Sequence, residues 1–295
     1  MLDVGREVAA ALRAGGAVVA LETAVLTHGL PAPEGIETMT RMVEAVRGRG
    51  AVPAVIGVLG GQPTVGLAEE DWPSLLEDPW KCSVRDLGIA MAMRRNGGAT
   101  VAATAFLAAR AGLKVFATGG IGGVHRGFSQ HLDISADLHA LAAAPLVMVS
   151  AGAKSVLDLS ATLELLETLS VPVVGFRTGS FPGFYVADSG HTLDRVARSV
   201  QDVAAIRRAM DALDLRQALL CVQPGPVPLD QATVERLVAE AALELERQGI
   251  EGKAVTPFLL DHLNRQGGQE LMQANIELLV HNAGLAAEIA IELSR

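Results

Sequence analysis

A chain of 295 residues that is 50% hydrophobic, 19% charged and 3% aromatic has enough apolar side chain to bury a sizeable core, which excludes an intrinsically disordered protein. Its 24 basic and 33 acidic residues leave a net charge of −9, and no run of lysines or arginines forms the basic stripe that nucleic-acid binding needs. Cys82 and Cys221 form no CxxC pair, which argues against a disulfide scaffold or a thiolate zinc site and for a reducing cytoplasm. Asp3, Arg6 and Glu7 precede any apolar run, so no signal peptide is expected, and the uncharged stretch 138–153 is too short to span a bilayer.

In chain order, short apolar runs alternate with helical patterns, as in an α/β sheet with helices on both faces. Residues 18–21 (Val-Val-Ala-Leu) predict a buried strand that runs into Glu22. Residues 54–59 predict another, with Gly60-Gly61-Gln62 as a turn and 64–67 as its hairpin partner. Helical patterns cover 83–95 and 99–111, the second ending at Gly112. Val115–Ala117 predicts a strand entering the glycine-rich segment TGGIGGVHRG (118–127). Residues 146–149 predict a further strand, followed by a small-residue turn, Lys154 and a helix carrying Leu157, Leu163 and Leu166. Residues 173–176 and 218–222 complete the strands, while 177–191, 223–230 and 264–270 read as irregular. No repeat or low-complexity linker divides the chain. The expectation is one α/β/α sandwich domain over residues 1–295, built around a mixed, largely parallel sheet.

In such a sheet, chemistry collects at strand C-terminal ends, where loops lead into helices. Lys154 follows a strand at the predicted start of a helix, whose positive end favours the neutral amine of a Schiff-base nucleophile. A surface lysine is the alternative. With Met148 and Ala153 the loop lacks the glycines of a phosphate-binding P-loop. Gly119, Gly120, Gly122 and Gly123 offer positive φ and backbone N–H groups to an anion, and His125 with Arg126 suits a phosphate monoester. A glycine turn packed against a helix competes with that reading. Asp133 and Asp137, four apart with Ser135 between them, share a face if helical and offer oxygen ligands to Mn²⁺ or Mg²⁺, although such pairs also occur on solvated faces. Glu22 closes an apolar strand, with His28 after it; burial there raises a carboxyl pKa and suits a general acid. Lys81 lies in a polar stretch, where a solvated lysine is the default.

Several stretches, in order along most of the chain, resemble the pseudouridine-5′-phosphate glycosidase family, also called the indigoidine-synthase-A-like family. They are ALETAVLTHGLPAPEGIET (20–38), PAVIGVLGGQPTVGL (53–67), KCSVRDL (81–87), GGATVAATAFLA (97–108), VFATGGIGGVHRG (115–127), DISADL (133–138), SAGAKSVLDLSATLELLET (150–168) and GKAVTPFLL (252–260). The resemblance implies a single α/β/α domain, a homotrimer and a divalent metal, usually Mn²⁺. It implies a lyase that reversibly cleaves the C–C bond joining uracil to ribose 5-phosphate in pseudouridine 5′-phosphate. It makes Glu22 the proton donor and Lys154 the nucleophile. Lys81, Val101, Ser135, Ala136 and Asp137 fall on substrate-binding positions, Asp133 on the metal position, and His125 and Asn282 among the pocket residues. Two stretches differ from the family pattern: QPGPVP (223–228) stands where Asn-Pro-Ile-Pro is usual, and ETAVLTHGL replaces a Glu-Ser-Thr form. Two further readings use the same residues: a class I aldolase-like Schiff-base lyase on another sugar phosphate, and a sugar-phosphate-binding protein without activity.

Overall fold

Apolar runs free of charge can be buried on both faces only near the centre of a parallel sheet, and the chain places them there. The computed structural model describes residues 2–250 and 255–295, so 252–254 of the GKAVTPFLL stretch lie outside the described residues. The strands are β1 (Asp3–Val4), β2 (Val18–Glu22), β3 (Val52–Leu59), β4 (Gln62–Val65), β5 (Trp80–Cys82), β6 (Gly97–Ala99), β7 (Val115–Ala117), β8 (Val124–His125), β9 (Val147–Ser150), β10 (Leu157–Asp158), β11 (Val173–Phe176), β12 (Val196–Ala197) and β13 (Leu219–Val222). Eleven of them form one sheet in the order β1-β4-β3-β2-β7-β9-β13-β11-β12, with β6 on β3 and β5 on β6. β2, β7, β9 and β13 are buried at every residue. Pairing is parallel except for β4 and β6, which run antiparallel to β3. β8 and β10 form a separate antiparallel pair.

The helices are α1 (Arg6–Arg13), α2 (Glu34–Arg47), α3 (Trp72–Leu75), α4 (Val84–Ala92), α5 (Val101–Arg110), α6 (Phe128–His131), α7 (Ala136–Leu141), α8 (Leu159–Thr168), α9 (Val200–Ala212), α10 (Gln231–Gln248) and α11 (Val255–Ser294). α11, with α2, α9 and α10 packed on it, lies against β2, β7 and β9. α5, packed on α4 and α7, lies against β2, β3 and β4. The architecture is the expected α/β/α arrangement. Gly60 (φ 57°) and Gly61 (φ 82°) both take the left-handed conformation that a two-residue hairpin between β3 and β4 demands.

Three expectations are corrected. Leu157 belongs to β10 and not to the following helix, which begins at Leu159 because the Asp158 side chain accepts from the Ala161 N–H (2.9 Å) and caps it. Residues 264–270 are helical on either side of one break at Gly268 (φ 63°), which bends the chain without leaving a loop. Lys81 sits on a strand and not in a polar loop.

Register decides where chemistry gathers. Leu21, Ala117 and Val149 are aligned across β2, β7 and β9, so Glu22 and Thr118 emerge side by side at the C-terminal ends. β2 stops at Glu22, opposite Ile56, and β3 then continues by pairing Gly57 with Gly98 of β6. β5 sets Lys81 opposite Gly98. The edge vacated by β2 is therefore filled by a flank that carries a lysine. Beneath it, Cys82 occupies the space that a Cβ on Gly97 would need, and Cys221 lies in β13. Both thiols are buried and neither is in a disulfide, and burial pushes that of Cys221 up to about 12. Among the described residues no helix is long and apolar enough to cross a membrane.

Candidate active site

Glu22 is 7% exposed at the end of an apolar strand. Burial raises its pKa, and nearby Asp137 adds to the rise; Lys154, the Thr118 hydroxyl donated to Oε1 and Lys81 act against it. Burial is the largest of these effects, so the carboxyl is biased towards its protonated form. Lys154 and Lys81 are half-buried. Lys154 is fixed by its backbone: its N–H donates to the Ile121 carbonyl (3.1 Å), and its carbonyl accepts from Leu157 (3.0 Å). The turn before it needs Gly152, at φ 75°, because the Pro182 carbonyl lies where a side chain would be. The helix-end account of Lys154 does not hold, since α8 starts only at Leu159.

Glu22, Ala24, Lys81 and Lys154 border two adjoining spaces. One is a small recess of about 70 Å³ walled also by Val25, His28, Thr118, Gly119, Phe184, Asn275 and Leu279. The other is a cavity of about 600 Å³, a volume suited to a small-molecule ligand. Val101, His125, Asp133, Ser135, Ala136 and Asp137 line the cavity, so nine of the ten residues to which the resemblance gives a role meet around it. Asn282 is the tenth, and it is elsewhere. Its side chain is 0% exposed; Nδ2 donates to the carbonyls of Thr118 (2.8 Å) and Gly119 (3.3 Å), and Oδ1 accepts from Gln223 (3.0 Å). It braces the recess wall from behind.

The carboxylates divide in a way that their spacing conceals. Asp133 precedes α7 and does not share a helical face with Asp137. Asp137 is 6% exposed, with Oδ1 accepting from Ala102 N–H (2.9 Å) and Oδ2 from Gly122 N–H (2.8 Å). Asp133 is partly exposed, with Oδ2 3.8 Å from His125 Nδ1. Burial lowers the His125 pKa, as do Lys154 and Lys81, while Asp133 opposes them.

The glycine loop is built for packing and not for positive φ, which none of Gly119, Gly120, Gly122 and Gly123 adopts. A Cβ on Gly122 would collide with Ser135 and Asp137, and one on Gly123 with Thr162. The N–H groups of Ile121, Gly122, Val124 and His125 are already bonded to Gly152, Asp137, Thr162 and Asp133. Arg126 donates to the carbonyls of Leu157 and Ser155 (3.4 Å each) and, unlike His125, is not among the residues that border the cavity. On the cavity wall, Arg85 and Ser83 of the α4 start stand with Lys81 instead. Sequence reasoning also missed Thr118, Asn275 and Phe184. Thr118 had a signal, since it follows directly on β7, beside the Glu22 end of β2.

The sequence profile of the indigoidine synthase A like proteins matches residues 7–292. The chain belongs to the indigoidine synthase A-like family. A pseudouridine-5′-phosphate glycosidase from Saccharopolyspora erythraea is 53% identical over 291 residues, covering 97% of this chain and 96% of that one. The crystal structure of an indigoidine synthase A-like protein from Thermotoga maritima has a TM-score of 0.92 at 38% identity and covers 100% of this chain and 97% of its own. That of a prealnumycin C-glycosynthase in complex with ribulose 5-phosphate gives 0.91 at 38% identity, with the same coverage. The indigoidine synthase A-like stretches 20–38, 115–127 and 150–168 supply Glu22, His125 and Lys154 to the cavity.

Proposed function

We propose that the chain cleaves the C–C glycosidic bond of pseudouridine 5′-phosphate reversibly, giving uracil and ribose 5-phosphate. The observation that carries this reading is the meeting of a buried, proton-biased carboxyl, Glu22, with Lys154 on the wall of one cavity. Relatives that carry the glycosidase name over nearly their full length support it, as does a neighbour of the same fold named as a C-glycosynthase.

A C–C glycosidic bond offers no leaving oxygen or nitrogen that one proton could release, so the two-carboxylate scheme of ordinary glycosidases does not serve. Glu22 holds a proton for the ribose ring oxygen; its transfer breaks the C1′–O4′ bond while uracil N1 gives up its proton to solvent, leaving C1′ in an alkene conjugated with uracil. The Lys154 amine adds to C1′. The C1′–uracil bond then breaks, its electron pair and a proton going to the base, and an imine remains on Lys154. Water hydrolyses the imine to ribose 5-phosphate. In this reading Lys81, Arg85 and Ser83, which border the cavity together, bind the phosphate.

Of Asp133 and Asp137, only Asp133 fits a divalent metal, Mn²⁺ by resemblance. Both Asp137 oxygens are taken by backbone N–H groups, and the described residues hold no cluster of three His, Cys, Asp or Glu that would cage an ion. Asp133 would hold it, and hard dications bound this way complete their shell with water and phosphate oxygens. When bound it would neutralise phosphate charge. The deciding experiment incubates the protein with pseudouridine 5′-phosphate and Mn²⁺ and follows uracil. Release is expected, and much slower release from unphosphorylated pseudouridine. Absence of release refutes the reading, and equal rates refute the phosphate subsite.

A further inference from the structure

The turn after Glu22 is unusual. Val25–Gly29 is π-helical, with the Leu30 N–H donating five residues back to the Val25 carbonyl (3.1 Å). Such turns are rare and concentrate at functional sites. This one carries His28 to the mouth of the recess, beside Lys81 and near Glu22 and Lys154. Nδ1 lies 2.6 Å from Thr27 Oγ1, and the ring stands against the backbone of Pro79, two residues before Lys81.

The ring's footing is rigid. Thr27 donates its N–H to the Thr23 carbonyl (3.0 Å), and its side chain fills the space above Gly98, the residue opposite Lys81. Thr23 Oγ1 in turn donates to Ile56 of β3 (2.7 Å) and accepts from Ala99 of β6 (2.9 Å). A chain of contacts thus runs from the end of β2 through Thr27 and His28 to the start of β5. Burial and Lys81 both lower the His28 pKa. A neutral imidazole has one donor and one acceptor; Nδ1 shares the Thr27 hydroxyl, which also reaches the Thr23 carbonyl (3.0 Å).

We propose that His28 is a positioning residue that ties β5 to the turn after Glu22 and so fixes Lys81 at the binding cavity. The inference rests on the function proposed above for what Lys81 binds. Without the ring, the turn leading into β5 has lost its tie to the β2 side, and Lys81 meets substrate in a looser geometry. A displacement of this kind costs about tenfold to a hundredfold in efficiency, and it falls on substrate binding more than on the step at Lys154.

The test compares wild type, His28→Ala and His28→Gln in steady-state cleavage of pseudouridine 5′-phosphate, with amide hydrogen exchange of the apo proteins alongside. His28→Ala is expected to raise KM about tenfold or more with kcat changed much less. His28→Gln, which retains a donor and an acceptor, is expected to recover most of the loss. Exchange at Trp80–Cys82 should quicken in His28→Ala and not elsewhere in the sheet. The proposal is overturned by an unchanged KM, by a fall confined to kcat, by no rescue in His28→Gln, or by unchanged exchange in 80–82. Wild type without activity would refute the proposed reaction, while the exchange comparison would still decide whether His28 holds β5.

Discussion

Replacing Asp137 by alanine would remove two buried hydrogen bonds at once from the wall between α5 and the glycine loop. Its oxygens accept from Ala102 (2.9 Å) and Gly122 (2.8 Å), and the residue is 6% exposed. Each N–H left unpaired costs ~1–3 kcal/mol, so the pair costs ~2–6 kcal/mol. Removing a carboxylate that sits in the first turn of α7 and against the N-terminus of α5 adds ~0.3–1 kcal/mol. Because Asp137 borders the cavity, water that reaches either N–H brings the loss towards the lower end. Even that is a large share of a typical stability of ~5–15 kcal/mol. Asp137→Asn keeps the shape but points a donor at one N–H, so about one bond is lost, ~1–3 kcal/mol. Urea unfolding followed through Trp72 and Trp80 reads both values, with the slope unchanged if only stability moves. An Asp137→Ala protein within ~0.5 kcal/mol of wild type would refute the bracing role.

Other expectations follow from the same geometry. Glu22 has a folded pKa raised above its ordinary 4.5 by burial, so the folded state binds more protons and stability falls as pH rises through the raised value. Glu22→Gln should therefore gain stability relative to wild type above that range and lose the advantage below about pH 4; a pH-independent difference in denaturation free energy would contradict this. Borohydride added to the protein with ribose 5-phosphate should trap an adduct that mass spectrometry places on Lys154, and Lys154→Arg should be nearly inactive because a guanidinium stays charged; an adduct on Lys81 instead would overturn the assignment. EDTA should abolish turnover and Mn²⁺ restore it, with Asp133→Asn folded but unresponsive, and full activity in chelated protein would remove the metal. Light scattering should return a trimer, as the resemblance implies, and a monomer would contradict it.

The centre of the sheet was legible because parallel strands buried on both faces are uninterrupted apolar runs, and Glu22 stood out as the charge that ends one of them. The position of Lys154 was legible too, but its supposed helix end was not real: Asp158 caps α8, and nothing local marks the turn and short strand before it as non-helical. β5 and β6 are three residues each and mixed in composition, so Lys81 looked like a loop residue. A glycine run does not say whether it serves positive φ or close approach, and here it is the latter, set by Ser135, Asp137 and Thr162 from distant elements. Residues 264–270, with Gly267 and Gly268 among them, read as irregular, which hid the continuity of α11 and with it Asn275. The spacing of Asp133 and Asp137 was visible, whereas their separate duties depend on α5 and the glycine loop arriving from elsewhere in the chain.

The two hidden thiols make the chain its own reporter of motion. Cys82 lies under Gly97 in the flank that carries Lys81, and Cys221 lies in the middle of the sheet. Neither can meet an alkylating reagent until the structure around it opens. The short strands of the flank should open more often than β13, so modification should appear at Cys82 first. A ligand that grips Lys81 should slow that event and leave the slower one at Cys221 untouched. Two masses resolved in time would then show which part of the fold a bound molecule holds shut.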